Sequence, residues 1–294
     1  MSQFTGREIM NVRNICAAIA AFSLLLPIGA SGQAKDWANI KIATEGAYKP
    51  WNFTDASGKL IGFEVDLAED LCKRMKAKCE IVAQAFDGVI PALNAGKFDA
   101  IMAGMNITDK RKEAIAFTTP YGRTPSTFAV LKSSALAKLP DDGKVYSLMP
   151  DGLAAAEKSI NQIKPLLKGK VIGVQTSTAQ ANFLEKYFKD VIDIRQYKTT
   201  EQHDLDLAAG RVDGVFASIS YLKGVVEEPK NKDMTLAGPR YGGGPLGFGV
   251  AVGLRKGDPE LLAKFDAAVN AAVADGTVKT LSTKWFGFDI TPQH

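Results

Sequence analysis

The residues that could hold a solute gather in three short segments, each at the end of a run that reads as a strand. Glu45, Tyr48, Trp51 and Phe53 lie close together, with Gly46 and Pro50 marking a loop. Ligand contacts concentrate in strand-end loops, so these aromatics either flank a ligand or form a surface hydrophobic staple. Ala103-Gly104-Met105-Asn106-Ile107-Thr108-Asp109-Lys110-Arg111 runs from a strand into a helix start. Its backbone N–H groups and the guanidinium fork of Arg111 can together hold a carboxylate. Gln175-Thr176-Ser177-Thr178 repeats that strand-to-helix geometry in the second half of the chain. Each of the last two segments also reads as an ordinary capping sequence.

Catalytic patterns are absent from the sequence. There is no Gly-x-Ser-x-Gly elbow, no Walker loop, no Gly-x-Gly-x-x-Gly after a strand and no His-Glu-x-x-His. His203 sits on a polar helix start and reads as a surface residue. Gly242-Gly243-Gly244 precedes no helix carrying Lys or Ser/Thr, so it marks a close backbone approach or a turn. Neither a cofactor nor a metal is expected: Cys72 and Cys79 with two His in the whole chain offer too few zinc ligands.

The elements that must position these segments alternate between strand and helix, which defines an α/β class. Strands are expected at residues 40–44, 80–83 and 98–103, with an amphipathic helix through Val65, Ala68, Leu71, Cys72 and Met75 and a short one at 88–94. A loop at 139–143 precedes a second series: strand 171–174, helix 178–188, strand 191–197, helix 201–209 and strand 214–217. Asp258 and Pro259 open a helix over 260–275 as cap and first-turn residue, and a last helix runs to Phe286. One internal echo stands out. Leu93-Asn94-Ala95-Gly96-Lys97-Phe98-Asp99 is matched by Leu207-Ala208-Ala209-Gly210-Arg211-Val212-Asp213, each a helix end, a Gly cap, a basic residue and an Asp before a strand. It predicts two lobes on one plan with a crevice between them.

The first 34 residues read as a secretory leader: Arg13, an apolar stretch over 15–28, then small residues up to Ala34. The long segment before Met10 leaves the start at Met1 or Met10 open. Export would place the mature chain outside the cytoplasm. There the pair Cys72 and Cys79 reads as a disulfide, the alternative being two buried thiols. The formal net charge is +4 among scattered Lys and Arg residues. Losing Arg7, Arg13 and Glu8 with the leader takes it to about +3, and no basic stripe for nucleic acid is expected.

In combination, several motifs resemble the polar amino-acid-binding proteins of ABC importers. They are Glu45-Gly46-Ala47-Tyr48-Lys49-Pro50-Trp51, Gly62-Phe63-Glu64-Val65-Asp66-Leu67, Phe86-Asp87-Gly88-Val89-Ile90-Pro91 and Ile107-Thr108-Asp109-Lys110-Arg111. The likeness spans residues 40–286 and includes Cys72 and Cys79, a pair disulfide-linked in the lysine/arginine/ornithine group. Ala43-Thr44-Glu45-Gly46, Ala100-Ile101-Met102-Ala103, Asn231-Lys232-Asp233 and Gly238-Pro239-Arg240 are similar to the opine-binding branch, which takes nopaline and octopine. The resemblance implies a two-lobed flytrap crossed twice by the chain, with 35–126 and 239–294 in lobe 1 and 127–238 in lobe 2. It also implies a monomer that captures a small molecule and delivers it to an inner-membrane permease. Arg111, with backbone groups near Asn106 and Thr178, would meet the ligand α-carboxylate. Tyr48 and Phe86 would stack on its side chain, and Glu45 would pair with a cationic end.

Departures from that pattern bear on the ligand. Basic-amino-acid binders set an Asp against the α-ammonium, where this chain has Ser218, with Ser220 adding no charge. Ala103 and Gly104 replace small hydroxyl residues and are expected to enlarge the pocket. An opine carries a secondary amine with a second carboxylated arm, for which Ser218, Asn106, Ser177, Gln175 and His203 are candidate donors. Ser126 stands at a lobe-junction position where nopaline binders have Met, which counts against nopaline itself and leaves octopine-like or other arginine-derived opines open. The rivals are a receptor for free arginine, ornithine or lysine and a cyclohexadienyl-dehydratase-like enzyme, for which Glu45 is the one obvious acid/base candidate.

Overall fold

A computed structural model describes residues 37–292, so the leader read over 1–34 and the terminal His294 lie outside the described residues. Two sheets organise the chain. The first is five-stranded, in the order Lys78–Ala83, Asn39–Thr44, Ala100–Ile101, Gly253–Leu254, Ala116–Phe117. The first three strands run parallel and the others pair antiparallel. The second is six-stranded: Asp193–Tyr197, Val171–Gln175, Gly214–Ser218, Ser126–Leu131, Met234–Gly242, Val145–Ser147. The apolar central runs are covered by helices on both faces, as parallel strands require. Phe63–Arg74, Pro259–Ala274 and Thr277–Phe286 bury Phe63, Leu67, Leu71, Phe265 and Phe286 against one face of the first sheet, and Val89–Asn94 covers the other. In the second sheet Leu153–Leu167 and Ala179–Phe188 pack on one face, and Thr200–Ala208 and Ile219–Glu227 on the other.

The internal echo is repeated bond for bond. Gly96 and Gly210 both close helices with positive φ, 75° and 67°. Lys97 N donates to Ala92 O and Arg211 N to Asp206 O, the 6→1 bond that ends a helix on a glycine. Asp99 then accepts from Lys41 N, and Asp213 from Val171 N, each tying the start of the next strand to the strand beside it. Equivalent strand orders around Asn39–Thr44 and Val171–Gln175 follow, and the C-terminal ends of both sheets face a common cleft, where open α/β sheets place their ligands.

The chain passes between the sheets at 118–125 and again at 243–252. These segments lie side by side: Tyr121 N donates to Val250 O at 2.9 Å, and Val250 N to Gly122 O at 2.7 Å. The boundary expected between 238 and 239 falls inside the strand Met234–Gly242, which stays whole in the second sheet. Pro239 lacks an N–H and shifts the register between Ala237 and Tyr241 without ending the strand. The cap expected from Asp258 also differs. Its carboxylate makes no capping bond and instead accepts from Arg255 Nε at 2.6 Å.

Cys72 and Cys79 form a disulfide with Cα atoms 6.2 Å apart, tying the end of Phe63–Arg74 to strand Lys78–Ala83. The closed loop is short, so Cys72→Ala/Cys79→Ala is expected to lose about 2–3 kcal/mol and about 5–10 °C in melting temperature, read by thermal denaturation.

Candidate functional site

Both sheets deliver residues into one cleft. From the first come Glu45, Tyr48, Trp51, Phe86, Ala103, Gly104, Asn106 and Arg111; from the second, Gln175, Thr178, His203 and Ser218. Two expected residues lie off its wall. Ser126 is buried within its strand, where its Oγ accepts from Gln180 Nε2 at 3.1 Å. Ser177 takes a positive φ of 62° and offers its carbonyl, not its hydroxyl, to Arg111.

Arg111 is held by the short helix Asp109–Ala114, whose cap Thr108 Oγ1 accepts from Arg111 N. Its guanidinium donates to Asn106 O at 2.8 Å and Ser177 O at 3.0 Å and lies 5.4 Å over the Phe86 ring. Burial lowers its pKa to about 10, which still leaves it a cation at neutral pH. Thr178 caps helix Ala179–Phe188, accepting from Ala181 N and donating to Gln175 O.

Glu45 ends the first strand and is only 8 % exposed. Burial, with lesser contributions from Glu64 and Asp87, raises its pKa to about 7 against the bond from Gln175. Gln175 Nε2 donates to Glu45 Oε1 at 2.6 Å and to Lys198 O at 3.0 Å. The cleft thus carries a buried carboxyl, Glu45, and a buried guanidinium, Arg111, that are not paired with each other.

Between them stands an aromatic wall. Tyr48 stacks on Tyr221 at 5.0 Å and 17°, and more distantly on Trp51 at 6.4 Å and 8°. Gly104 does not open the space anticipated for it. A Cβ there would meet Tyr48 Cε1 at 2.9 Å, so the missing side chain lets the Tyr48 ring close down on the backbone. Sequence reasoning missed the residue that fixes this floor. Glu64 is buried and accepts from Gly104 N at 2.8 Å, from Asn52 Nδ2 at 2.6 Å and from Tyr121 OH. Asn52 Oδ1 in turn accepts from Gly46 N, which links the same network to the Glu45 loop. Its place in the Gly62–Leu67 motif was the available signal.

Ser218 belongs to a ring of hydroxyls. Its Oγ lies 3.0 Å from Thr124 Oγ1 and 2.5 Å from Ser220 Oγ, and Trp51 Nε1 donates to Ser220. Tyr48 borders the cleft beside them. Thr124, on the first crossing segment, was not anticipated. His203 corrects the sequence reading: it is 0 % exposed and borders the cleft, because its helix turns that face inward over Gly173 and Val215.

Contacts between the sheets' domains give the cleft a closed arrangement. Besides Gln175–Glu45, Arg111–Ser177, Trp51–Ser220 and Tyr48–Tyr221, Thr200 Oγ1 donates to Ala47 O and Lys49 Nζ pairs with Glu228 at 2.9 Å. Among the described residues no cluster of His, Cys, Asp and Glu could hold a metal, and no helix is long and apolar enough to cross a membrane.

A two-lobed α/β protein whose lobes close over a buried acid, a buried guanidinium and an aromatic wall is built to enclose a small charged solute. The chain belongs to the bacterial extracellular solute-binding proteins, family 3, whose model matches residues 40–288. It is 50 % identical to an octopine-binding periplasmic protein of Rhizobium meliloti over 86 % of this chain and 92 % of that one. An L-arginine-binding protein of Pseudomonas aeruginosa is 35 % identical over 94 % of this chain and 96 % of its own. Among solved structures, an ancestral arginine-binding protein bound to arginine superposes with a TM-score of 0.71 at 30 % identity, covering 85 % of this chain and 99 % of that one.

Proposed function

We propose that this chain is the periplasmic receptor of an ABC importer and that its solute is an arginine-derived opine of the octopine type. The observation that carries the reading is Ser218 in its hydroxyl ring. The cleft provides Glu45 for a guanidinium and Arg111 for a carboxylate, yet at the amine it provides the uncharged oxygens of Ser218, Ser220 and Thr124. A free α-ammonium desolvated there would lack a counter-charge, which is costly in a buried site. An opine amine brings its own, in the carboxylate of its second arm. Tyr48 and Phe86 give the guanidinium and its methylene stem flat faces to lie against.

Half-identity to an octopine-binding protein over nearly the whole chain supports the same ligand class. The receptor acts as a monomer, and its closed form is what the permease meets. A receptor and not an enzyme is the reading its solute-binding relatives support. Titration calorimetry with octopine, nopaline and L-arginine tests the assignment. Octopine is expected to bind most tightly. Tight arginine binding with no opine binding would overturn the opine reading in favour of a basic-amino-acid receptor.

A further inference from the structure

The site as proposed leaves one buried group unsatisfied. His203, on helix Thr200–Ala208, is fully buried and borders the cleft. Among the described residues neither of its ring nitrogens has a hydrogen-bond partner. Nδ1 comes within 3.0 Å of Asp204 Oδ1, but the two are sequence neighbours on one helix and lack the alignment of a bond, so that oxygen is unpartnered too. Buried polar groups in native proteins are almost always paired, and an exception at a cleft wall points to a partner that arrives with the ligand.

The surroundings fix the ring without satisfying it. Tyr221, from helix Ile219–Glu227, donates to Asp204 Oδ2 and meets the imidazole edge-on at 6.3 Å. Tyr197 meets it at 6.1 Å from the other side and spends its own hydroxyl on Asp206. Tyr221 also stacks on Tyr48, so the network is continuous with the aromatic wall. Ala217, the residue before Ser218, borders the same cleft.

We propose that His203 is the subsite for the second carboxylate of an N-carboxyalkyl amino acid. Arg111 takes one carboxylate; His203 donates an N–H to the other, its ring held between the edges of Tyr197 and Tyr221. A free amino acid has no group to offer His203, so this residue separates opines from their parent amino acids. The assignment rests on the opine reading and refines it.

Calorimetry with octopine, L-arginine and Nα-methyl-L-arginine distinguishes the two levels. The methylated ligand has the secondary amine without the second carboxylate. His203→Leu is expected to weaken octopine about 10–100-fold while the other two change less than about threefold, and His203→Gln, which keeps a donor, is expected to recover part of the loss. A structure of the unaltered protein with octopine should place the arm carboxylate within hydrogen-bond reach of the ring, a readout independent of variant folding. Equal losses for all three ligands, or no loss for octopine, make His203 a structural residue and leave the opine reading standing. No octopine binding by the unaltered protein overturns both.

Discussion

Ser218→Asp is expected to invert the ligand preference, tightening L-arginine about 10–100-fold and weakening octopine about 100-fold or more. The position already collects donors. The hydroxyls of Thr124 and Ser220 lie 3.0 Å and 2.5 Å from its Oγ. A carboxylate placed there would be ionised and oriented at little cost, because those hydroxyls can both turn to donate to it. Free arginine would then find a counter-charge for its α-ammonium. Octopine would instead bring its arm carboxylate toward a fixed negative charge in a site closed to water, where screening is weak. The readout is the ratio of the two affinities in competition calorimetry, since a packing defect would weaken both ligands together. A ratio that stays put would mean that Ser218 supplies only space.

Much of this site was legible because its parts sit at strand ends, where sequence pattern and function coincide. Glu45, Arg111 and Gln175 each follow an apolar run, and the helix-glycine-Asp echo disclosed the two-sheet plan before any coordinate was known. What escaped notice depends on partners distant in sequence. His203, a candidate donor, stands in a stretch of polar residues that reads as surface, and only the packing of its helix over Gly173 shows that it is buried. Glu64 stands in the Gly62–Leu67 motif with nothing local to show its role, yet Tyr121, Asn52 and Gly104 converge on it from three other segments. Strand Ser126–Leu131 and helix Ile219–Glu227 went unread because both are short and mostly apolar, so their periodicity does not separate strand from helix. Gly104 misled for a related reason: its missing side chain suggested room, but the Tyr48 ring fills that room from the opposite loop.

Octopine affinity is expected to climb with pH and level off above about pH 7, and Glu45 is the cause. Its burial raises the free-state pKa to about 7, so in the empty protein the group is half protonated near neutrality. Only the carboxylate form can pair with a guanidinium, and the bound cation holds it ionised. The ligand's guanidinium and carboxylates do not change charge between about pH 5 and 8. Below pH 7 binding must therefore expel a proton from Glu45, and affinity at pH 5.5 should be about 30-fold lower than on the plateau. The sign for folding runs the other way. In the empty protein the raised pKa stabilises the fold fully below the ordinary value of 4.5, and that contribution fades as pH rises through about 7. Ligand thus protects most where the empty protein has lost this contribution. Calorimetry in buffers of different ionisation enthalpy should count close to one proton released at pH 6. Glu45→Gln keeps a hydrogen-bonding group beside Gln175 but removes the charge. It should cost about 100-fold on the plateau and erase the release, while any proton change arising elsewhere in the cleft survives it. A variant that retains the unaltered protein's pH slope would put the cationic end of the ligand somewhere other than Glu45.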